Sequence, residues 1–169
     1  MATIDQGDSG TTFSKGLVKA MDPHGLLLTL KPEAQWKAAC VLMLLARAGY
    51  GQARVIAGVR SLEEQKRLYG HGRTGTELRA AGIAATYAAP EMPKVTWCRP
   101  EDSDHVRGMA IDIDLSRYFE LKVEVAACIC EVLHCEWGGF WQVVDRSHWG
   151  FARGSNVDAT GHGSEVIYG

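Results

Sequence analysis

Apolar positions divide the chain into short blocks separated by Gly, Pro and polar runs. The densest block runs from Pro32 to Ala48, where Trp36, Ala39, Cys40, Leu42, Met43, Leu44 and Leu45 leave few polar positions. Pro32 suits a first helical turn and Gly49 a stop, so the block predicts a helix. Being apolar nearly all round, it is expected to be deeply buried and to serve the core. Phe13 to Met21 predicts a short helix before it, then a turn at Asp22-Pro23-His24-Gly25 and a brief apolar stretch, Leu26 to Leu30.

Arg54 to Arg60 is β-branched, short and apolar inside, which predicts a buried strand. Ser61-Leu62-Glu63-Glu64 follows at once and has the spacing of a capping box. It predicts a helix through Leu68 and Tyr69 that stops near Gly70 or Gly72, so Arg60 stands at a fixed junction of strand and helix. Residues 70–102 are the least regular part, with a short helix expected at Glu77 to Ala81 and a strand at Lys94 to Trp97. Long irregular stretches in small domains tend to frame binding sites.

From Met109 to Leu115 the pattern alternates. Ala110, Asp112 and Asp114 fall on one face, and Met109, Ile111, Ile113 and Leu115 on the other. That predicts a half-buried strand with an acidic face. Arg117 to Cys135 predicts a helix with a stripe of Leu121, Val125, Cys128, Ile129 and Val132. An aromatic turn follows at Glu136 to Trp141, then a last short strand at Trp149 to Phe151.

Composition narrows the function. A chain of 169 residues suits one domain with its own core. Its net charge of -2, with no basic stripe, argues against nucleic acid as a partner. Cys40, Cys98, Cys128, Cys130 and Cys135 form no regular framework, and Cys-x-Cys on a helix points its thiols to different faces. They are expected to act as small core hydrophobes. Met1 to Gln6 lacks the basic and apolar parts of a signal peptide, and the apolar run Ala38 to Ala46 is too short to span a bilayer. The expectation is cytoplasmic synthesis with no membrane insertion.

The candidate chemistry lies in two clusters. His105 and Asp112 stand seven positions apart around Gly108, and Asp145 and His148 stand three apart. His105, Asp112 and His148 would give a three-ligand zinc site with an open fourth position, the form catalysis uses. Asp145 would then be placed as general base, with Glu136 as its rival. Arg60 would polarise a carbonyl or hold an oxyanion. The plainer alternatives are a capping His105, a salt-bridged Asp112, a turn-forming Asp145 and a surface Arg60. Asp114 is read as an outer or solvent-facing group, and His24, His71, His134 and His162 as structural or exposed.

Ser103-x-His105-x-x-Gly108-x-Ala110-x-Asp112, followed by Asp145-x-x-His148-Trp149, resembles the zinc-binding signature of the D-alanyl-D-alanine carboxypeptidase family, peptidase family M15. Within it the phage L-alanyl-D-glutamate endolysins are most similar. Gly58-Val59-Arg60-Ser61-Leu62-Glu63-Glu64-Gln65, Leu68-Tyr69, Gly72-Arg73-Thr74, Lys94 to Trp97 and Glu136-Trp137-Gly138-Gly139-x-Trp141 resemble further blocks of that family. The likeness covers roughly residues 52–151.

The resemblance implies an α+β fold, a small antiparallel sheet flanked by helices, of the Hedgehog and DD-peptidase type. It implies zinc as cofactor, with His105, Asp112 and His148 as ligands. Asp145 would be the base, Arg60 the oxyanion partner, and Ser103 and Gln65 substrate contacts. The substrate would be a peptidoglycan stem peptide, cut by a monomer that reaches the wall by release or export. The expected layout is a flexible arm at 1–12, a catalytic domain at 13–151 and a tail at 152–169, without a separate wall-binding domain. The stretch from Gly75 to Pro93 is longer than the family's usual connection, so it bears on substrate preference.

Overall fold

The structure, a computed structural model, describes residues 16–118 and 120–152. The arm expected at 1–12, the tail beyond residue 152 and His162 lie outside the described residues. So does the start of the helix expected from Phe13, of which residues 16–21 are helical (α1). The other helices are α2 (Pro32–Leu45), α3 (Leu62–Gly70), α4 (Gly75–Ala80), α5 (Asp104–Arg107) and α6 (Val123–Leu133). The strands are β1 (Arg54–Ala57), β2 (Ala110–Asp114), β3 (Glu136–Trp137) and β4 (His148–Gly150). They form one antiparallel sheet in the order β1-β2-β4-β3. The fold class is therefore α+β, as expected.

The sheet has two unlike faces because side chains alternate along each strand. Ile111, Ile113, Val55, Trp137 and Trp149 face the core, which α2 and α6 cover. Asp112 and His148 emerge on the other face, flanked by α3 and α5. Trp149 and Leu42 are fully buried, and burying one such side chain is worth about 1.5–3 kcal/mol.

Three expectations about the helices change. α2 is buried on one face only, through Ala34, Ala38, Val41, Leu42 and Leu45, while Trp36 is 53% exposed. Among the described residues no element covers that outer side, and Trp36 stands in an apolar surface there. α2 gives way to a wider turn at Ala46–Tyr50, which Gly49 permits with φ 99°. α6 starts at Val123, not Arg117. Its buried positions are Ala126, Ile129 and Leu133, so Cys128 and Val132 of the expected stripe are exposed.

Residues 70–102 lack a strand yet are well tied. Lys94 to Trp97 forms no strand, and Arg73 Nη2 donates to the Thr96 carbonyl at 2.9 Å. Arg73 is itself buried, donates to the Tyr69 carbonyl and stacks 3.7 Å over the Tyr69 ring. Gly70 packs so closely on Tyr87 that a Cβ would lie 1.8 Å from its carbonyl oxygen. The complete capping box is at Thr74 and Glu77, opening α4. At Ser61 only half of the expected box forms, the Glu64 N–H donating to Ser61 Oγ at 3.1 Å.

Candidate metal centre

His105 reaches the site from α5, a single turn that Gly108 ends in the left-handed conformation, φ 71°. That reversal delivers the chain into β2, where Asp112 lies on the face opposite the core. β4 pairs with β2 so that Asp112 stands directly across from His148. The three ligand atoms converge. His105 Nε2 is 3.2 Å from His148 Nδ1 and 3.2 Å from Asp112 Oδ1, and His148 Nδ1 is 3.5 Å from the same oxygen. Among the described residues this group of metal-ligating side chains lies within 4.8 Å of one another.

The spacing and the hydrogen bonding both suit a cation. Zinc bonds of about 2.0–2.2 Å in a tetrahedron set ligand atoms about 3.3–3.6 Å apart, close to what is seen here. His105 Nδ1 is 2.8 Å from the Gly58 carbonyl, which fixes the proton on Nδ1 and leaves a lone pair on Nε2. A proton on His148 Nδ1 satisfies one contact at most. Asp112 Oδ1 is buried with only these two ring nitrogens beside it and no well-aligned hydrogen bond, the expense a metal would relieve. Burial pushes the Asp112 carboxyl up, but the two imidazoles beside Oδ1 outweigh it and hold it well below the ordinary carboxylate range. Two neutral imidazoles and a carboxylate are a donor set that zinc accepts.

The cluster forms part of the wall of a cavity of about 840 Å³, which Arg60, Gln65, Trp97, Ser103, Trp141 and Asp145 also line. Arg60 Nη2 lies 3.7 Å from Asp112 Oδ2, and Arg60 Nη1 donates to Gln65 Oε1 at 2.7 Å. The Arg60 N–H donates to the His105 carbonyl, so α5 and the junction before α3 are joined through the backbone. Gln65 is buried, with its side-chain oxygen committed to Arg60. Ser103 is buried at the start of α5.

Asp145 is exposed on the loop before β4. Its Oδ1 accepts from the Ser147 hydroxyl at 2.7 Å and from the Ser147 N–H at 3.2 Å, an Asx turn that holds the carboxylate in place. The loop is held by the Asp145 N–H donating to the Gly138 carbonyl and by Trp137 Nε1 donating to the Arg146 carbonyl at 2.8 Å. A Cβ on Gly138 would lie 2.4 Å from the Asp145 carbonyl oxygen and 3.2 Å from His148 Cβ.

Glu136, the rival to Asp145, does not line the cavity. It is paired with Gly150 and fills the space that glycine leaves, where a Cβ would meet Glu136 Oε1 at 2.6 Å. Burial pushes its carboxyl up, against the opposing pull of His148 and with the charge of Asp104 adding to the rise. Burial also raises Asp104. Asp114 faces solvent side by side with Ser116, whose N–H it accepts at 2.7 Å. His24 and His134 are exposed, and His71 lines the cavity wall.

Two contributors escape a motif-by-motif reading. Trp141 lies against the His148 imidazole, ring centroids 4.7 Å apart, and shields that ligand from one side. The Gly58 carbonyl sets the His105 tautomer, a backbone role with no side-chain signature. Only the Gly-Gly-x-Trp and Gly-x-Arg spacings signal them.

No protein-family model matches the chain, and no curated protein matches it. Among solved structures, the chain is similar to the crystal structure of Serratia marcescens L-Ala D-Glu endopeptidase ChiX, with 18% identity, 74% of this chain and 82% of that chain covered, and a TM-score of 0.39. The chemistry of the site stands on its own residues.

Proposed function

We propose that the chain is a zinc-dependent peptidoglycan peptidase, and within that class an L-alanyl-D-glutamate endopeptidase of the phage endolysin type. The observation that carries the proposal is the convergence of His105 Nε2, Asp112 Oδ1 and His148 Nδ1 at the wall of a cavity that Asp145 and Arg60 share. The choice of stem peptide and bond rests on the motif resemblance alone.

His105, Asp112 and His148 would hold the metal. Zinc, when bound, supplies Lewis acidity toward water and toward the amide carbonyl. Asp145 takes the proton of the attacking water and returns it to the leaving amine. Arg60, anchored by Gln65, presents a fixed positive charge to the carbonyl oxygen as it becomes negative. Ser103, at the cavity wall, would orient the peptide. Trp141 and Trp97 give the cavity an aromatic wall against which a peptide can pack.

Digesting purified peptidoglycan with the zinc-loaded chain and identifying the new termini by mass spectrometry tests this. New L-alanine carboxyl ends and D-glutamate amino ends are expected. Release of D-alanine would instead assign a D-alanyl-D-alanine carboxypeptidase. A chain that binds wall peptides and zinc but generates no new termini would be a non-catalytic module. Asp145→Asn should keep its zinc while its rate falls about 10²–10⁴-fold.

A further inference from the structure

Three cysteines near the end of α6 take no part in the centre described above, and the structure separates them. Cys128 is exposed on the outer side of the helix. Cys130 lies in its last turns, half-buried against the core. His134 then adopts φ 50°, ψ 55°, a left-handed conformation uncommon outside glycine, and turns the chain back on the helix. The Cys135 N–H consequently donates to the Cys130 carbonyl at 3.1 Å. That backbone bond sets Cys135 against the turn of α6 that carries Cys130, and Cys135 Sγ lies 3.9 Å from the Ile129 carbonyl. Lys37 Nζ, from α2, donates to the His134 carbonyl at 3.0 Å, which sets a cation beside this turn.

We infer that Cys130 and Cys135 are a redox-active dithiol that closes into a disulfide when it meets a disulfide oxidant. The helix reversal joins the two residues through the Cys135 N–H and the Cys130 carbonyl, which brings their backbones near each other, the first demand of the bond.

The reaction is thiol–disulfide exchange. Cys135 is the attacking group. Its thiol is held below the ordinary range, first by the hydrogen bond from Cys130 and then by the Lys37 charge, against the opposing effect of burial. The Cys130 thiol is raised, first by that hydrogen bond and then by burial, so it keeps its proton as donor. The Cys135 thiolate attacks one sulfur of the external disulfide and expels the first thiolate. Cys130 then releases its proton to solvent and attacks Cys135 Sγ, expelling the second. Two protein thiols lose two electrons, and the oxidant becomes two thiols. The bond would fasten the end of α6 to the residue before β3, one strand away from β4 and His148.

The test uses the full chain, reduced and then exposed to oxidised glutathione, with remaining thiols alkylated. Glu131 lies between the two cysteines, so cleavage at glutamate leaves a Cys130–Cys135 bridge as two peptides joined until reduction. In wild type and Cys128→Ser alike, Cys130 and Cys135 should both escape alkylation and yield the joined peptides. Cys130→Ser should instead accumulate glutathione on Cys135. Joined peptides that vanish in Cys128→Ser would overturn the pairing. So would full alkylation of Cys130 and Cys135 after oxidation in a chain whose circular dichroism shows it folded.

Discussion

Asp112 and His148 are cross-strand partners, directly opposite each other on β2 and β4. Antiparallel neighbours share a face of the sheet with their side chains close together. The pairing therefore brings a carboxylate and an imidazole into one site from positions 36 residues apart in the chain. A one-residue slip of register would turn either group into the core.

The first prediction follows from that geometry. Asp112→Asn keeps the shape but removes the charge, and His148→Ala removes a donor while leaving β4 in place. Each should weaken zinc binding beyond the 10–100-fold that loss of an outer partner typically costs. Metal analysis after dialysis against a fixed free-zinc buffer is the check. A His148→Ala chain that retained wild-type zinc content would remove this imidazole from the ligand set.

Gly138 tests whether the loop aims Asp145. A methyl group there collides with the Asp145 carbonyl oxygen at 2.4 Å and crowds Asp145 Cβ and His148 Cβ, both at 3.2 Å. The loop must move, and a misplacement of about 1 Å can cost about 100-fold in rate. Gly138→Ala should cut turnover by that order with the sheet intact by circular dichroism. Unchanged turnover on peptidoglycan would mean that the loop tolerates the shift and that its geometry does not matter to the reaction.

Acid should act on Asp112 in the metal-free chain. Its carboxyl is lower in the folded protein than in the unfolded one because the imidazoles outweigh burial. A depressed carboxylate adds stability that is fully present above its unfolded value, about 3.9, and is lost as pH falls toward the folded one. Chelator-treated wild type should thus lose more stability than Asp112→Asn on going from about pH 5 to pH 2. Urea midpoints at the two pH values measure it. Equal losses in both chains would show that the imidazoles do not favour the ionised form.

How much of this was legible in the sequence differs by residue. His105, Asp112 and Asp145-x-x-His148 stand out because candidate ligands on short local motifs keep their spacing whatever surrounds them. Which face of β2 carried Asp112 followed from simple alternation. The α6 stripe was misplaced because its start was: with Lys122 as the N-terminal cap at Val123, the buried set shifts to Ala126, Ile129 and Leu133. Lys94 to Trp97 looks like a strand by residue type, but a strand needs a partner. Arg73 takes the Thr96 carbonyl instead, a contact spanning 23 positions that no local pattern encodes. The exposure of Trp36 likewise depends on how the other described elements pack around α2. Tertiary pairing, absent from any window of sequence, decided each of these.

Gln65 separates two roles for one side chain. The motif resemblance makes it a substrate contact, whereas its oxygen accepts from Arg60 Nη1 at 2.7 Å and the residue is only 2% exposed. A substrate contact that acts equally in ground and transition states changes KM and spares kcat. A group that steadies Arg60 acts when charge develops on the carbonyl oxygen, and its loss lowers kcat and kcat/KM together. The geometry favours the second, because a committed acceptor has little left to offer a ligand. Gln65→Met keeps the volume and leaves the guanidinium without its anchor. It should retain zinc and KM while kcat falls about 10-fold or more, as expected for one weakened oxyanion partner. Gln65→Glu supplies the acceptor again but neutralises part of the Arg60 charge, so it should restore the position without restoring the rate. A raised KM with an unchanged kcat in Gln65→Met would return the residue to the peptide-binding wall.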